Sequence, residues 1–183
     1  ALDNIGSIEI LNGASSVLYG SNASTAVINI KTKKHSQKEV EAIIGARLSS
    51  YNTYAQRINL SGKSNAFNYQ FSGINEKSEG FSSAKGDDSF DRDGYEKQNI
   101  NVKLGIDLGK FDLNIIGGWN HHLFDYDMGA FSDAKNRGND TQTYAGVSTN
   151  FYYNIGKITL NTRYTDTERI GELLGNTGYQ SQY

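Results

Sequence analysis

Strict alternation of apolar and polar residues is the feature that most constrains how this chain folds. The clearest alternating run lies between residues 100 and 108. Successive side chains of a β-strand point to opposite faces, so this run predicts a strand with one apolar face. Its apolar positions are Ile100, Val102, Leu104, Ile106 and Leu108, and its polar or small positions are Asn101, Lys103, Gly105 and Asp107.

The same alternation recurs along most of the chain after Lys38. No helical pattern interrupts it, and consecutive strands of similar length predict an antiparallel, up-and-down, all-β sheet. Strands of about ten residues also match the length that crosses a bilayer at a tilt. We predict seven strands, in residues 40–48, 57–61, 67–72, 100–108, 111–119, 145–155 and 158–164.

The predicted connections between these strands fall into two length classes. Short turns at one end of the sheet and long loops at the other are typical of a transmembrane barrel, and only the turn at Asn52 breaks this rule. The tight turns are predicted at Asn52, Lys63–Ala66, Gly109–Lys110 and Gly156–Lys157, and the long loops at Phe81–Tyr95 and Tyr126–Asp140.

Composition excludes several classes of protein. The net charge is -2 with no basic block, which argues against a nucleic-acid partner, and the absence of cysteine excludes a disulfide framework. No apolar stretch approaches the ~18 residues of a membrane-spanning helix, while the mean hydropathy of -0.58 suits barrel strands, which average out as polar. No catalytic motif occurs, so we expect no enzyme and no catalytic residues.

The first thirty-four residues have a different pattern. Strands are predicted at Ile5–Leu11 and Ala26–Thr32, with one or two helical turns at Ala14–Tyr19 that Gly20 ends. The order of the pieces resembles the C-terminal half of the plug domain of TonB-dependent transporters, although family members often carry proline where Ala14 stands. The matching pieces are Ile8–Leu11, Gly13, Ser16–Ser21, Val27–Ile30 and Thr32–Lys33.

The resemblance implies residues 1–34 of a small α/β plug, followed by residues 35–183 as the first strands of a transmembrane β-barrel. We therefore expect the chain to be a fragment, in which about seven strands belong to a plugged barrel of ~22 strands. The implied location is the bacterial outer membrane, with membrane lipid and the inner-membrane TonB complex as partners. The implied function is active import of cobalamin or another corrinoid, a ferric siderophore or haem.

Two other classes of protein also fit the alternation. An outer-membrane barrel enzyme would need a catalytic constellation at one rim, and no plug segment would precede its strands. A secreted β-sandwich or adhesin would turn the same apolar faces into a soluble core. The plug-like run over Ile8–Lys33 favours transport over both.

Aspartates are concentrated in the two long loops and form the candidate metal site. Clustered carboxylates on adjacent loops suit Ca²⁺, which takes six to eight oxygen ligands, whereas a solvated acidic loop is the simpler alternative. Residues 91–95 and 126–127 also resemble the calcium-binding loops of vitamin B12 transporters, which implies calcium as a cofactor. The candidate calcium ligands are Asp87, Asp88, Asp91, Asp93 and Asp127.

Overall fold

The structure is a computed structural model that describes residues 5–13, 25–33, 35–86, 90–174 and 176–183. It divides into two compact units, Ala1–His35 and Ser36–Tyr183. All of the regular structure in the described residues is β-strand, and the strands form two antiparallel sheets. Among these residues, no helix is long and apolar enough to span a membrane.

The first unit contains one antiparallel strand pair, β1 (Ile5–Asn12) and β2 (Ala26–Thr32), which confirms both predicted strands. Across the pair, Glu9 accepts hydrogen bonds from Lys31 Nζ at 2.5 Å and Asn29 Nδ2 at 3.0 Å. The predicted helical turns at Ala14–Tyr19 and the cap at Gly20 lie outside the described residues. The assignment of this unit to a plug domain therefore stays a prediction.

The second unit is one eight-stranded antiparallel sheet in which each strand pairs with its neighbours in the sequence. This up-and-down order confirms the predicted topology. The strands are β3 (Glu41–Ser49), β4 (Thr53–Ser64), β5 (Phe67–Phe81), β6 (Asp93–Asp107), β7 (Phe111–Tyr126), β8 (Asn136–Tyr153), β9 (Gly156–Leu173) and β10 (Asn176–Gln182).

Three details differ from the prediction. The sheet has eight strands rather than seven, because the polar segment Asn176–Gln182 pairs with β9. Several strands are longer than the predicted ten residues, and β8 and β9 reach 18 residues each. Gly156 begins β9, so the last tight turn lies two residues earlier than predicted.

The extra strand length lies at the end of the sheet that carries the long loops. There β6 begins at Asp93 and β8 begins at Asn136, so the loops shrink to residues 82–92 and 127–135. In the extensions of β6 and β8, residues 93–99 and 136–144, polar side chains occupy both faces, which removes the alternation that marks a strand in sequence. Both long loops leave the same end of the sheet, as predicted, together with the turns after β3 and β9.

Cross-strand register places the alternating apolar residues on one face, which we call the apolar face. Leu104, Ile115 and Val147 lie opposite one another on β6, β7 and β8. This face is uncovered, and Ile44 and Leu48 on β3 are 79% and 85% exposed. Among the described residues, the only buried hydrophobic side chains are Ala84 and Ala134, which lie in the long loops rather than in the sheet.

The opposite, polar face is crossed by a chain of side-chain hydrogen bonds. Because its bonds link residues on β6, β7, β8 and β9, and the bond from Tyr144 on β8 reaches β6 across β7, the network ties these four strands together in one register. The bonds run from Tyr144 to Asn101, from Asn101 to Asn99, from Asn99 to Asn120, from Asn120 to Gln142 at 3.2 Å, and from Gln142 to Thr167 at 3.3 Å.

Candidate functional site

The candidate site lies where the two long loops meet. The first loop joins β5 to β6 and the second joins β7 to β8. Because β6 and β7 are paired up to Tyr95 and Phe124, the two loops leave the sheet side by side. Carboxylates that are 34 residues apart in sequence therefore lie together.

Three of the predicted ligands form one cluster. A carboxylate oxygen from each of Asp91, Asp93 and Asp127 lies within 4.8 Å of the other two, and all three residues are half-buried. Asp87 and Asp88, the other two predicted ligands, lie outside the described residues. The cluster thus brings together the three predicted ligands whose positions the structure describes.

Asp127 is the most extensively hydrogen-bonded member of the cluster. Its Oδ2 accepts a bond from Ala84 N at 2.6 Å and lies 3.1 Å from Ser83 Oγ and 3.2 Å from Ser82 Oγ, two hydroxyls whose single protons are shared with other acceptors; its Oδ1 accepts a bond from Ala134 N at 3.1 Å. Burial opposes ionisation of this carboxyl group, but the hydrogen bonds outweigh it and lower its pKa to about 2. Asp127 is therefore an anion at neutral pH.

Asp93 and Asp91 are less well compensated. Asp93 Oδ2 accepts bonds from Ser83 N at 2.6 Å and Ser83 Oγ at 2.7 Å, but its buried Oδ1 finds no donor among the described residues. The pKa of Asp91 is raised by burial and then by the neighbouring charge of Asp133. The hydrogen bonds in the site therefore stabilise the negative charge of Asp127 better than that of Asp91 and Asp93.

This arrangement suits a hard cation. Among the described residues, no ion pair includes Asp91, Asp93 or Asp127. The buried Oδ1 of Asp93 finds no donor among the described residues, and the carboxylate oxygens of Asp91 and Asp127 lie close to it. Ca²⁺ would take these oxygens and complete its shell with carbonyl groups or water.

Other aspartates of the second loop region have separate partners. Asp125 forms an ion pair with Arg137 at 2.7 Å, and Asp140 lies 4.0 Å from Arg169. Asp133, which the sequence did not single out as a ligand, accepts a hydrogen bond from Asp91 N at 3.1 Å. Its only sequence signal is its place in the same acidic loop.

The low pKa of Asp127 predicts how the loop junction responds to acid. A folded-state pKa below the usual ~3.9 of an aspartate stabilises the junction above about pH 4, and this stabilisation is lost as the pH falls toward about 2. We expect pepsin to cleave the loops of the full-length protein more readily as the pH falls through this window.

Asp127→Asn is the control for that measurement, because the amide does not titrate. Its loops should lack the acid-induced step once pepsin activity is normalised at each pH. An equal step in both proteins would contradict the assignment of the pH response to Asp127.

Comparison with solved structures shows a likeness in fold. No family model matches the chain, and no curated protein matches it. The fold is similar to the crystal structure of the siderophore receptor PirA from Acinetobacter baumannii, with a TM-score of 0.70 and 18% sequence identity. The match covers 98% of this chain and 30% of that receptor, so the chain spans less than a third of that receptor's length.

Proposed function

We propose that this chain forms part of the barrel wall of a TonB-dependent receptor that imports an iron chelate across the bacterial outer membrane. The observation that carries the proposal is the uncovered apolar face of an up-and-down sheet. The fold likeness to a siderophore receptor and the plug-like sequence of the first thirty-four residues support it. No catalytic motif in the sequence supports an enzymatic function.

The apolar face has the dimensions of a lipid-facing band. On β7 the band runs from Phe111 to Trp119, and eight steps of ~3.3 Å along a strand tilted by ~40° give a height of roughly 20 Å. Aromatic side chains lie near both margins, as in the interfacial girdles of barrels. They are Phe67, Phe111 and Phe151 at one margin, and Tyr54, Trp119 and Tyr164 at the other.

Charges on this face begin only beyond the band, toward the long loops. Register places Lys77, Glu96, Asp125 and Asp166 there, on β5, β6, β7 and β9. A lysine or arginine at the bilayer midplane costs roughly 2–4 kcal/mol, so a lipid-facing band excludes such charges. A soluble sandwich would instead need a second layer over this band, and the described residues of the second unit form a single sheet.

The polar face would line the lumen, and its charge favours an anionic cargo. More cationic than anionic side chains point to this face, so a negatively charged chelate would be attracted to it. The cationic set is Arg47, Arg57, Lys63, Lys97, Lys103, Lys157, Arg163 and Arg169, and the anionic set is Glu41, Glu76, Asp107, Asp112 and Asp140.

Uptake by cells that express the full-length protein tests this function. We expect accumulation of a radiolabelled ferric siderophore that stops when the proton-motive force is collapsed or when the TonB complex is deleted. Cobalamin and haem are the comparison substrates. Uptake that continues without the energy source, or no uptake of any of the three, would contradict the proposal.

We also propose that the loop carboxylates bind Ca²⁺. Because residues 91–95 and 126–127 resemble the calcium-binding loops of vitamin B12 transporters, calcium binding would favour cobalamin as the second candidate cargo. The Oδ1 of Asp93, for which the described part of the chain offers no donor, lies beside Asp91 and Asp127 and supports a cation at this position. Bound Ca²⁺ would neutralise the excess charge and join the two loops.

Replacing Asp93 by asparagine tests the calcium proposal. Because this removes one charged ligand, we expect at least tenfold weaker calcium binding by calorimetry on the full-length protein. Asp140→Asn is the matched control, because Asp140 lies near Arg169 outside the cluster. Equal calcium affinity in both variants, or no calcium binding by the unaltered protein, would overturn the proposal.

A further inference from the structure

The two long loops are bonded to each other through more than the carboxylate cluster. Lys85 N in the first loop donates to Ala130 O in the second at 2.6 Å. Ala84 and Ala134, whose amides both donate to Asp127, are also the buried hydrophobic residues of the described chain. A small packed junction therefore surrounds Asp127.

Asp127 accepts backbone amides from both halves of this junction. One of its oxygens accepts the amide of Ala84 and lies within hydrogen-bond distance of the hydroxyls of Ser82 and Ser83, and the other accepts the amide of Ala134 in its own loop. Hydrogen bonds to an ionised acceptor are about twice as strong as neutral ones. Loss of this carboxylate would leave two buried amides without their acceptor, which is costly.

We propose that Asp127 is a positioning residue that locks residues 82–86 and 127–135 into one body, so that the two loops open together rather than separately. The lock consists of hydrogen bonds within the chain. It therefore goes beyond the proposed import function and does not depend on which cargo the receptor carries. It also needs no bound cation, which separates it from the calcium proposal.

Amide hydrogen exchange on the full-length protein, measured with EDTA present, tests this lock. In Asp127→Ala we expect the amides of Ala84, Lys85 and Ala134 to exchange about tenfold faster or more, and to do so at similar rates. Amides in the middle of the strands, such as those of Val102 and Val147, should keep their protection. This pattern distinguishes a local lock from a general loss of stability.

Asp133→Ala is the matched control, because Asp133 lies in the same loop and its described hydrogen bonds go to Asp91 rather than to Ala84 or Ala134. It should leave the exchange of Ala84 and Ala134 unchanged. Faster exchange in one loop alone after Asp127→Ala, or the same effect from Asp133→Ala, would overturn the proposal. Retained protection in EDTA would uphold the lock even if calcium binding failed.

Discussion

Val147→Arg is expected to prevent assembly of the full-length protein in the outer membrane. Val147 lies in the middle of the apolar face, opposite Ile115, and it is exposed in the sheet. If that face contacts lipid, an arginine there costs about 2–4 kcal/mol at the midplane. The measurement is the fraction of protein that is heat-modifiable on a denaturing gel, since a folded barrel migrates differently before and after boiling.

Ser148→Arg is the matched control one residue further along the same strand. Its side chain points to the polar face, where a cation would meet water rather than lipid. We expect this variant to assemble at close to the normal level. Equal loss in the two variants, or recovery of the unaltered protein from the soluble fraction without detergent, would contradict a lipid-facing apolar face.

Gly80→Ala is expected to destabilise the protein and to displace Asp93, a member of the carboxylate cluster. Gly80 has a φ of +66°, which costs an L-residue about 1–2 kcal/mol. A β-carbon there would also overlap the backbone carbonyl of Asp93 on β6. The two strands must separate to accept it, so we expect a stability loss of more than about 2 kcal/mol and displacement of Asp93.

Gly109→Ala separates these two causes, because Gly109 has a φ of +79° but no atom within 4 Å of a built β-carbon. It should lose only the conformational cost of about 1–2 kcal/mol. The measurement is urea unfolding of the full-length protein in lipid vesicles. A similar loss in both variants would show that the strands at Gly80 accommodate the extra atom.

Alternation predicts the parts of the sheet whose two faces meet different surroundings. The run Ile100–Leu108 falls within or next to β6, and each of the seven predicted runs overlaps an observed strand. The prediction fails at Asp93–Asn99 and Asn136–Tyr144, where polar residues occupy both faces and strand pairing alone defines the element. It fails for β10 for the same reason.

The candidate site was partly predictable. The density of aspartates in two loops at one end of the sheet indicated Asp91, Asp93 and Asp127, and the structure places them together. Sequence could not separate these from Asp125 and Asp140, because their arginine partners come from register across neighbouring strands. Nor could it show the role of Asp127, because that role depends on backbone amides, which every residue type carries.

The proposed function requires that the apolar face of the sheet contacts lipid. The 183 residues contain no cysteine, so spin labels on single cysteines introduced at residues 100–108 report one site each within this segment. In the full-length protein in a bilayer, collision with oxygen should peak at residues 100, 102, 104 and 106, and collision with a water-soluble nickel complex at the residues between them. Equal access of the nickel complex to both sets of residues would contradict contact between the apolar face and lipid.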